Sequence, residues 1–290
     1  MNKLNIGFIG IGIMGKHIAT HLLNISHNFN IISRKSKNTQ EFIKKNKNKI
    51  NVYQSYKEIA ENSDVIISCV GNDKDLKFIF LSKNGLLTGI KENTIIIDHT
   101  TSSEKISKEI YRKCLLKKAY FFDAPMSGGE IGAKEGKLSL RVGGKKLKFK
   151  NIEKITKFYS KSCIYMGESG NGQLTKMVNQ ICVASVIQGL AEGLNFAKVK
   201  KLDSKKLINV ISNGAGQSWQ LDNRGYTMLN NKFNFGFMNK LMLKDLNLVF
   251  DSFENKRKLP NTWIIKKYYM KLIKLGYDKD DTSSLIRLLK

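Results

Sequence analysis

The sequence predicts an α/β protein in which an N-terminal, doubly wound parallel sheet is followed by an all-α second half. Short runs rich in Ile, Val and Phe alternate with helix-like segments through the first half. The glycine turn Gly10-Ile11-Gly12-Ile13-Met14-Gly15 separates the first such run from the first helix-like segment. Beyond about residue 165 the pattern changes to long helical stretches.

Residues 4–9, 29–32, 65–70, 95–98 and 120–123 are four to six residues long and read as strands buried on both faces. Between them, residues 14–23, 36–45, 56–61 and 103–116 carry helical spacing or helix-favouring composition. Strand, helix, strand in succession predicts parallel pairing. Residues 137–142 read as a further strand, closed by the turn signal Gly143-Gly144. Residues 172–199 run helical without proline, and more helix follows at 204–212, 238–255 and 262–275. The chain is therefore expected to divide into residues 1–165 and 166–290, with the ligand site in the cleft between them.

At 290 residues and 41% hydrophobic content, two domains with real cores are expected. The formal charge of +26 raises the question of nucleic acid or an anionic membrane. The lysines are scattered throughout and only six basic residues are arginine, so the excess reads as compositional bias rather than a built patch. A general attraction for anionic cofactors and substrates remains. Cys69, Cys114, Cys163 and Cys182 form no CxxC pair and are expected as buried, reduced thiols. The apolar start lacks a small-residue cleavage site, and no other apolar stretch approaches the ~20 residues of a membrane span. A cytoplasmic protein is the expectation.

The glycine turn follows a strand and opens a helix, the context in which GxGxxG binds a dinucleotide. The first glycine makes the tight turn, the second admits the pyrophosphate, and the third lets helix and strand pack; the helix N-terminus faces the phosphates. Cofactor choice is set at the end of the second strand, which reads Ser33-Arg34-Lys35. No carboxylate stands there to hold the ribose hydroxyl of NAD. Arg34 with the Ser33 hydroxyl suits a 2′-phosphate, so NADP is favoured and NAD is the alternative. The bland reading makes Arg34 one more surface cation.

Five segments give a resemblance that runs nearly end to end. They are Gly7-Phe-Ile-Gly-Ile-Gly-Ile-Met-Gly15, Asp98-His-Thr-Thr101, Asp123-Ala-Pro-Met-Ser-Gly-Gly129 continuing to Gly132-Ala133, Gly170-Asn-Gly-Gln-Leu-Thr-Lys176 with Asn179-Gln180, and Lys244-Asp245-Leu246. In these the chain resembles the β-hydroxyacid dehydrogenase family, which includes 3-hydroxyisobutyrate dehydrogenases, tartronate semialdehyde reductases and glyoxylate/succinic semialdehyde reductases. The resemblance implies a Rossmann domain, a homodimer or homotetramer formed through the helical half, and hydride transfer between a nicotinamide cofactor and a small β-hydroxy acid or semialdehyde. It implies that Val70, Gly71, Asn72, Asp75 and Thr101 line the nicotinamide half of the cofactor. It further implies that Ser127-Gly128-Gly129 receives the substrate carboxylate, a role glycines suit because they let amides turn toward an anion. Lys176 corresponds to the family's catalytic lysine, a general acid/base whose pKa must be drawn toward neutrality. Asn179 and Gln180 follow it at i+3 and i+4 and share its helix face. Lys244 would reach the cofactor or active site, with Asp245 orienting its neighbours.

The chain departs from relatives at Ser102-Ser103-Glu104, where an apolar residue and a proline are common, and at Asn179-Gln180, where many 3-hydroxyisobutyrate enzymes have two asparagines. The segment 214–219, with Phe235 and Phe237, resembles the part that closes the substrate pocket; Trp219 and the phenylalanines read by default as core packing. His17 and His21 stand at i, i+4 but lack a third ligand at metal spacing, so they read as ordinary helix residues. His99 lies nearer the chemistry and reads equally as a tuning group or a satisfied structural histidine. Two alternatives stay open: an imine reductase of the same architecture, against which Lys176 speaks, and a non-catalytic cofactor- or nucleic-acid-binding relative.

Overall fold

A computed structural model describes residues 4–32, 36–253 and 255–289. The chain divides into two compact units, Met1–Lys176 and Met177–Lys290.

Among the described residues the first unit carries nine strands in one sheet: β1 (Leu4–Ile9), β2 (Ser26–Ile32), β3 (Asn51–Tyr53), β4 (Val65–Ser68), β5 (Ile95–Asp98), β6 (Tyr120–Asp123), β7 (Met126–Ser127), β8 (Leu138–Gly143) and β9 (Ser160–Gly167). The order β3-β2-β1-β4-β5-β6 is parallel throughout, as expected. β8 then runs antiparallel to both β6 and β7, and β9 pairs parallel with β8. Seven helices accompany them: α1 (Gly15–Leu23), α2 (Lys37–Asn46), α3 (Tyr56–Glu61), α4 (Asp73–Leu81), α5 (Glu104–Leu116), α6 (Gly129–Lys134) and α7 (Phe149–Thr156).

Neighbouring strand residues alternate between two cores. Val65, Ile67, Ile97 and Phe122 pack with Ile18, Leu22, Ala133 and Ile152 from α1, α6 and α7. Ile66, Ile96 and Phe121 pack with Ile59, Leu76, Ile79 and Ile110 from α3, α4 and α5. Both faces are covered, which is why these strands are apolar without interruption.

The second unit is helical. α8 (Asn171–Val199) begins in the first unit and continues into the second, followed by α9 (Ser204–Ser212), α10 (Trp219–Leu229), α11 (Asn239–Ser252) and α12 (Pro260–Lys274). Ala184, Ile187, Ala191 and Leu194 of α8 meet Met228, Met242, Leu246, Tyr269 and Leu272 in one core.

Several elements escaped the sequence. β3 is three residues at the sheet edge, Asn51 and Val52 exposed and Tyr53 half-buried, and β9 opens on Ser160-Lys161-Ser162; neither shows the unbroken apolar run by which buried strands are recognised. α10 contains Gly225 and Asn223, poor helix formers, and is held by burial of Leu221, Gly225 and Met228. Two expectations need correction. α8, at 29 residues with a window of mean hydropathy 1.2, is by length and composition apolar enough to cross a membrane. Of the four cysteines only Cys114 is buried; Cys69 and Cys163 are half-buried and Cys182 is exposed.

Candidate active site

At the end of β1 the three glycines serve different purposes. Gly10 has φ +101° and a side chain there would lie 2.1 Å from the Cys69 carbonyl oxygen, while one at Gly15 would lie 2.0 Å from the Gly10 oxygen. A side chain at Gly12 would meet nothing within 4 Å. The first and third glycines are thus demanded by the protein's own packing, and the second borders open space, as a cradle for a pyrophosphate requires. Ile11 turns into the core and Ile13 is exposed. Met14, which precedes α1, provides no side-chain cap, whereas α2 to α5 are capped by Ser36, Ser55, Asn72 and Ser103. Lys16 N–H donates to the Gly12 oxygen at 3.0 Å and His17 N–H to the Met14 oxygen at 3.2 Å, so it is the glycine turn ahead of them that suits an anion. Ser33 and Arg34 lie outside the described residues.

The ends of β4 and β5 lie beside this turn. Cys69 N–H donates to the Ile9 oxygen at 2.9 Å, and His99 N–H to the Ser68 oxygen at 2.7 Å. Val70 N–H donates to Thr100 Oγ1 at 3.0 Å, and that hydroxyl donates to Asp98 Oδ1 at 2.7 Å. Ser68 Oγ donates to the same oxygen at 2.7 Å. Burial pushes Asp98 up to about 7 despite these bonds. Asn72 caps α4 through the N–H groups of Lys74 and Asp75, and Asp75 Oδ2 accepts from Gly71 N–H at 3.0 Å. Both side chains shape the Val70-Gly71 turn. Thr101 is half-buried beyond Thr100. At the departure from the family pattern, Ser103 caps α5 and its N–H and hydroxyl both donate to the Asp73 carboxylate, joining the starts of α4 and α5.

The loop after β6 gathers the remaining groups. Gly128 and Gly129 take φ +127° and +62°, conformations open to glycine. Ser127 Oγ accepts from Arg141 Nη1 at 2.9 Å. Lys176 is 8% exposed, and its Nζ donates to the Met126 oxygen at 3.0 Å, one residue before Ser127.

What places Lys176 is the seating of the first turn of α8. The Asp123 carboxylate accepts from Gly170 N–H at 2.7 Å, Gln173 N–H at 3.1 Å and Ser169 Oγ at 3.3 Å, while burial pushes it up to about 7. Gln173 Oε1 accepts from Ser102 N–H at 3.1 Å, and Nε2 donates to the Thr100 oxygen at 2.7 Å. The loop itself is held from behind by His99. Its Nδ1 meets the Ala124 carbonyl at 2.7 Å, so that nitrogen carries the proton, and Nε2 accepts from the Tyr159 hydroxyl at 2.9 Å. Burial lowers His99 to about 4, and it is a neutral, satisfied structural histidine.

In the second unit Asn179 Nδ2 donates to Gln180 Oε1 at 2.9 Å, and Gln180 Nε2 to Asp245 Oδ2 at 2.8 Å. Lys244 Nζ lies 3.2 Å from Asp245 Oδ1. Buried Asp245 therefore links all three residues predicted on this side. Trp219 corrects the expectation of core packing: it is 59% exposed, and the Arg224 guanidinium stacks on both its ring and that of Phe235. His17 and His21 reach across to α6, at Glu130 Oε1 and the Ala133 oxygen.

Arg141, Gln173 and Tyr159 were missed from sequence. Arg141 left one signal, a cation on an otherwise Leu/Ser/Val strand; Tyr159 left none. A cavity of about 510 Å³ in the first unit, lined by Lys108, Tyr111, Arg112 and Lys145 among others, includes none of the predicted site residues.

Residues 5–167 match the family model for the NAD binding domain of 6-phosphogluconate dehydrogenase. Residues 170–289 match that for the NAD-binding region of NADP-dependent 3-hydroxyisobutyrate dehydrogenase. An uncharacterized oxidoreductase of Shewanella frigidimarina is 38% identical over 98% of each chain. A probable 3-hydroxyisobutyrate dehydrogenase-like protein of Arabidopsis thaliana is 33% identical over 100% of this chain and 86% of its own. A 3-hydroxyisobutyrate dehydrogenase of Mycobacterium tuberculosis, solved with L-serine, shares the fold at TM-score 0.88 and 23% identity over 99% of both chains.

Proposed function

Because this chain belongs to the β-hydroxyacid dehydrogenase family, a family of NAD(P)-dependent oxidoreductases, we propose that it interconverts a small β-hydroxy acid and its semialdehyde, with Lys176 as the proton-transfer residue. The observation that carries this reading is the Lys176 Nζ, buried and directed at the Met126 oxygen beside Ser127.

Residues 1–165 act as the cofactor domain, and residues 166–290 contribute to substrate binding and to a homodimer or homotetramer. The Gly10–Gly15 turn and the start of α1 hold the cofactor phosphates, and the Val70-Gly71 turn, Thr101 and Lys244 attend its nicotinamide half. Ser33 and Arg34 read the 2′-phosphate, which makes NADP the preferred cofactor. When bound, the nicotinamide supplies the hydride acceptor or donor.

Ser127, Gly128 and Gly129 take the substrate carboxylate through a hydroxyl and backbone N–H groups. In the oxidation direction the Lys176 amine accepts the hydroxyl proton as the C–H hydride departs and the carbon–oxygen double bond forms. In reduction its ammonium returns that proton to the developing alkoxide. Asn179 and Gln180 orient the substrate oxygen. The hydrogen bond to the Met126 carbonyl holds Nζ beside the loop that takes the carboxylate.

Lys176→Ala should abolish reduction of short semialdehydes with NADPH while leaving NADPH binding, followed by cofactor fluorescence, intact. Turnover near that of the unaltered enzyme would refute the assignment.

A further inference from the structure

We infer that Arg141 is a specificity-determining residue: its guanidinium turns the Ser127-Gly128-Gly129 loop into an anion cradle that selects aldehydes bearing a carboxylate over neutral aldehydes. The inference rests on the assignment of that loop to the substrate and adds to it the group that recognises charge.

β8 alternates strictly. Leu138, Leu140 and Val142 are in the core, so Ser139 and Arg141 occupy the opposite face. The antiparallel ladder sets Ser139 against Ser127 and Leu140 against Met126. Arg141 therefore projects beside Ser127, and its Nη1 donates to Ser127 Oγ at 2.9 Å. On the preceding residue, the Met126 oxygen accepts from Lys176 Nζ at 3.0 Å. Two cations thus attend successive residues of one loop. A side chain added at Gly129 would meet nothing within 4 Å, so the loop opens onto space.

Arg141 is half-buried, and burial draws its pKa below the ordinary range. A carboxylate would offset that desolvation, and the planar fork of a guanidinium matches a carboxylate in two parallel hydrogen bonds.

The test compares succinic semialdehyde with butanal, its neutral counterpart, in Arg141→Met and the unaltered enzyme at saturating NADPH. Arg141→Met should raise KM for succinic semialdehyde roughly tenfold or more, the value of a charged hydrogen-bond pair, with kcat changed by less than about threefold. KM for butanal and for NADPH should stay within about twofold, and Arg141→Lys should recover part of the loss. Parallel changes for both aldehydes, or no change for the charged one, would overturn the inference. If the unaltered enzyme reduces neither aldehyde, or if Lys176→Ala reduces both normally, the catalytic reading fails instead. Sodium malonate with NADP then still reads Arg141: its thermal protection should be present in the unaltered enzyme and lost in Arg141→Met. Equal protection of both proteins would dismiss the cradle. Should Arg141→Met fold poorly, Arg141→Gln carries the same comparison with a polar side chain.

Discussion

Asp98 and Asp123 stand in register at the C-terminal ends of neighbouring parallel strands, both buried, and each organises a different half of the candidate site. Asp98 gathers Ser68 and Thr100, and through Thr100 it fixes Val70 at the edge of the cofactor region. Asp123 gathers Ser169, Gly170 and Gln173 and so seats the start of the helix that bears Lys176. The hydrogen bonds to each favour the charged carboxylate, but desolvation outweighs them in both, raising each to about 7.

The consequence is a dependence of stability on pH. A carboxyl whose folded value of about 7 exceeds the ordinary 3.8 stabilises the fold when protonated, so its contribution is whole below pH 3.8 and is lost as pH rises through 7. His99 has the opposite sign: with a folded value of about 4 against 6.5, its contribution is whole above 6.5 and lost as pH falls through 4. Asp98→Asn keeps an oxygen to accept from Ser68 and Thr100 and removes the titration. The variant should gain on the unaltered enzyme between pH 5 and 8, by on the order of 2–4 kcal/mol. Denaturation midpoints across that range check this, and the His99 contribution cancels in the difference. Parallel curves would mean that Asp98 titrates normally.

The glycine turn separates folding from binding. Gly10→Ala puts a methyl group against the Cys69 carbonyl at positive φ and should cost at least ~3 kcal/mol of stability. Gly12→Ala meets open space and should leave stability within ~1 kcal/mol while raising the Kd for NADP roughly tenfold or more. Thermal melts and cofactor titration together decide the point; unchanged cofactor affinity in Gly12→Ala would remove the phosphates from this turn.

Gln173→Leu should strand the Ser102 N–H and the Thr100 carbonyl, both in buried positions. We expect a loss of ~2–4 kcal/mol in urea unfolding with m unchanged, and a fall in kcat as α8 loosens from β5. A variant as stable as the unaltered protein would show that the Asp123 contacts suffice to seat the helix.

Arg34→Ala should weaken NADP roughly tenfold or more while scarcely affecting NAD, since a charge-assisted pair to the 2′-phosphate is lost in one case only. Equal losses for the two cofactors in fluorescence titrations would return Arg34 to the general positive surface.

Much of the architecture was legible because its causes are local. The strands of the doubly wound sheet announce themselves by unbroken apolar runs, since helices cover both faces, and the glycine turn announces itself because two of its glycines are sterically obligatory. β7, β9 and α10 left no such trace. β7 is two residues long, β9 starts polar, and α10 holds together by burying Leu221, Gly225 and Met228 rather than by propensity.

The amino-acid order by itself determined the element types, the turn chemistry at Gly10 to Gly15, and the presence of Lys176 one turn into a long helix. Only the tertiary structure decided what those groups touch. Met126 lies 50 residues from Lys176, Tyr159 lies 60 from His99, and Ser102 lies 71 from Gln173. Periodicity reports which face of an element is buried, because that face repeats every two or 3.6 residues. It carries no record of a single hydrogen bond closed across a sheet, and Arg141 beside Ser127 became visible only when β7 and β8 were laid side by side.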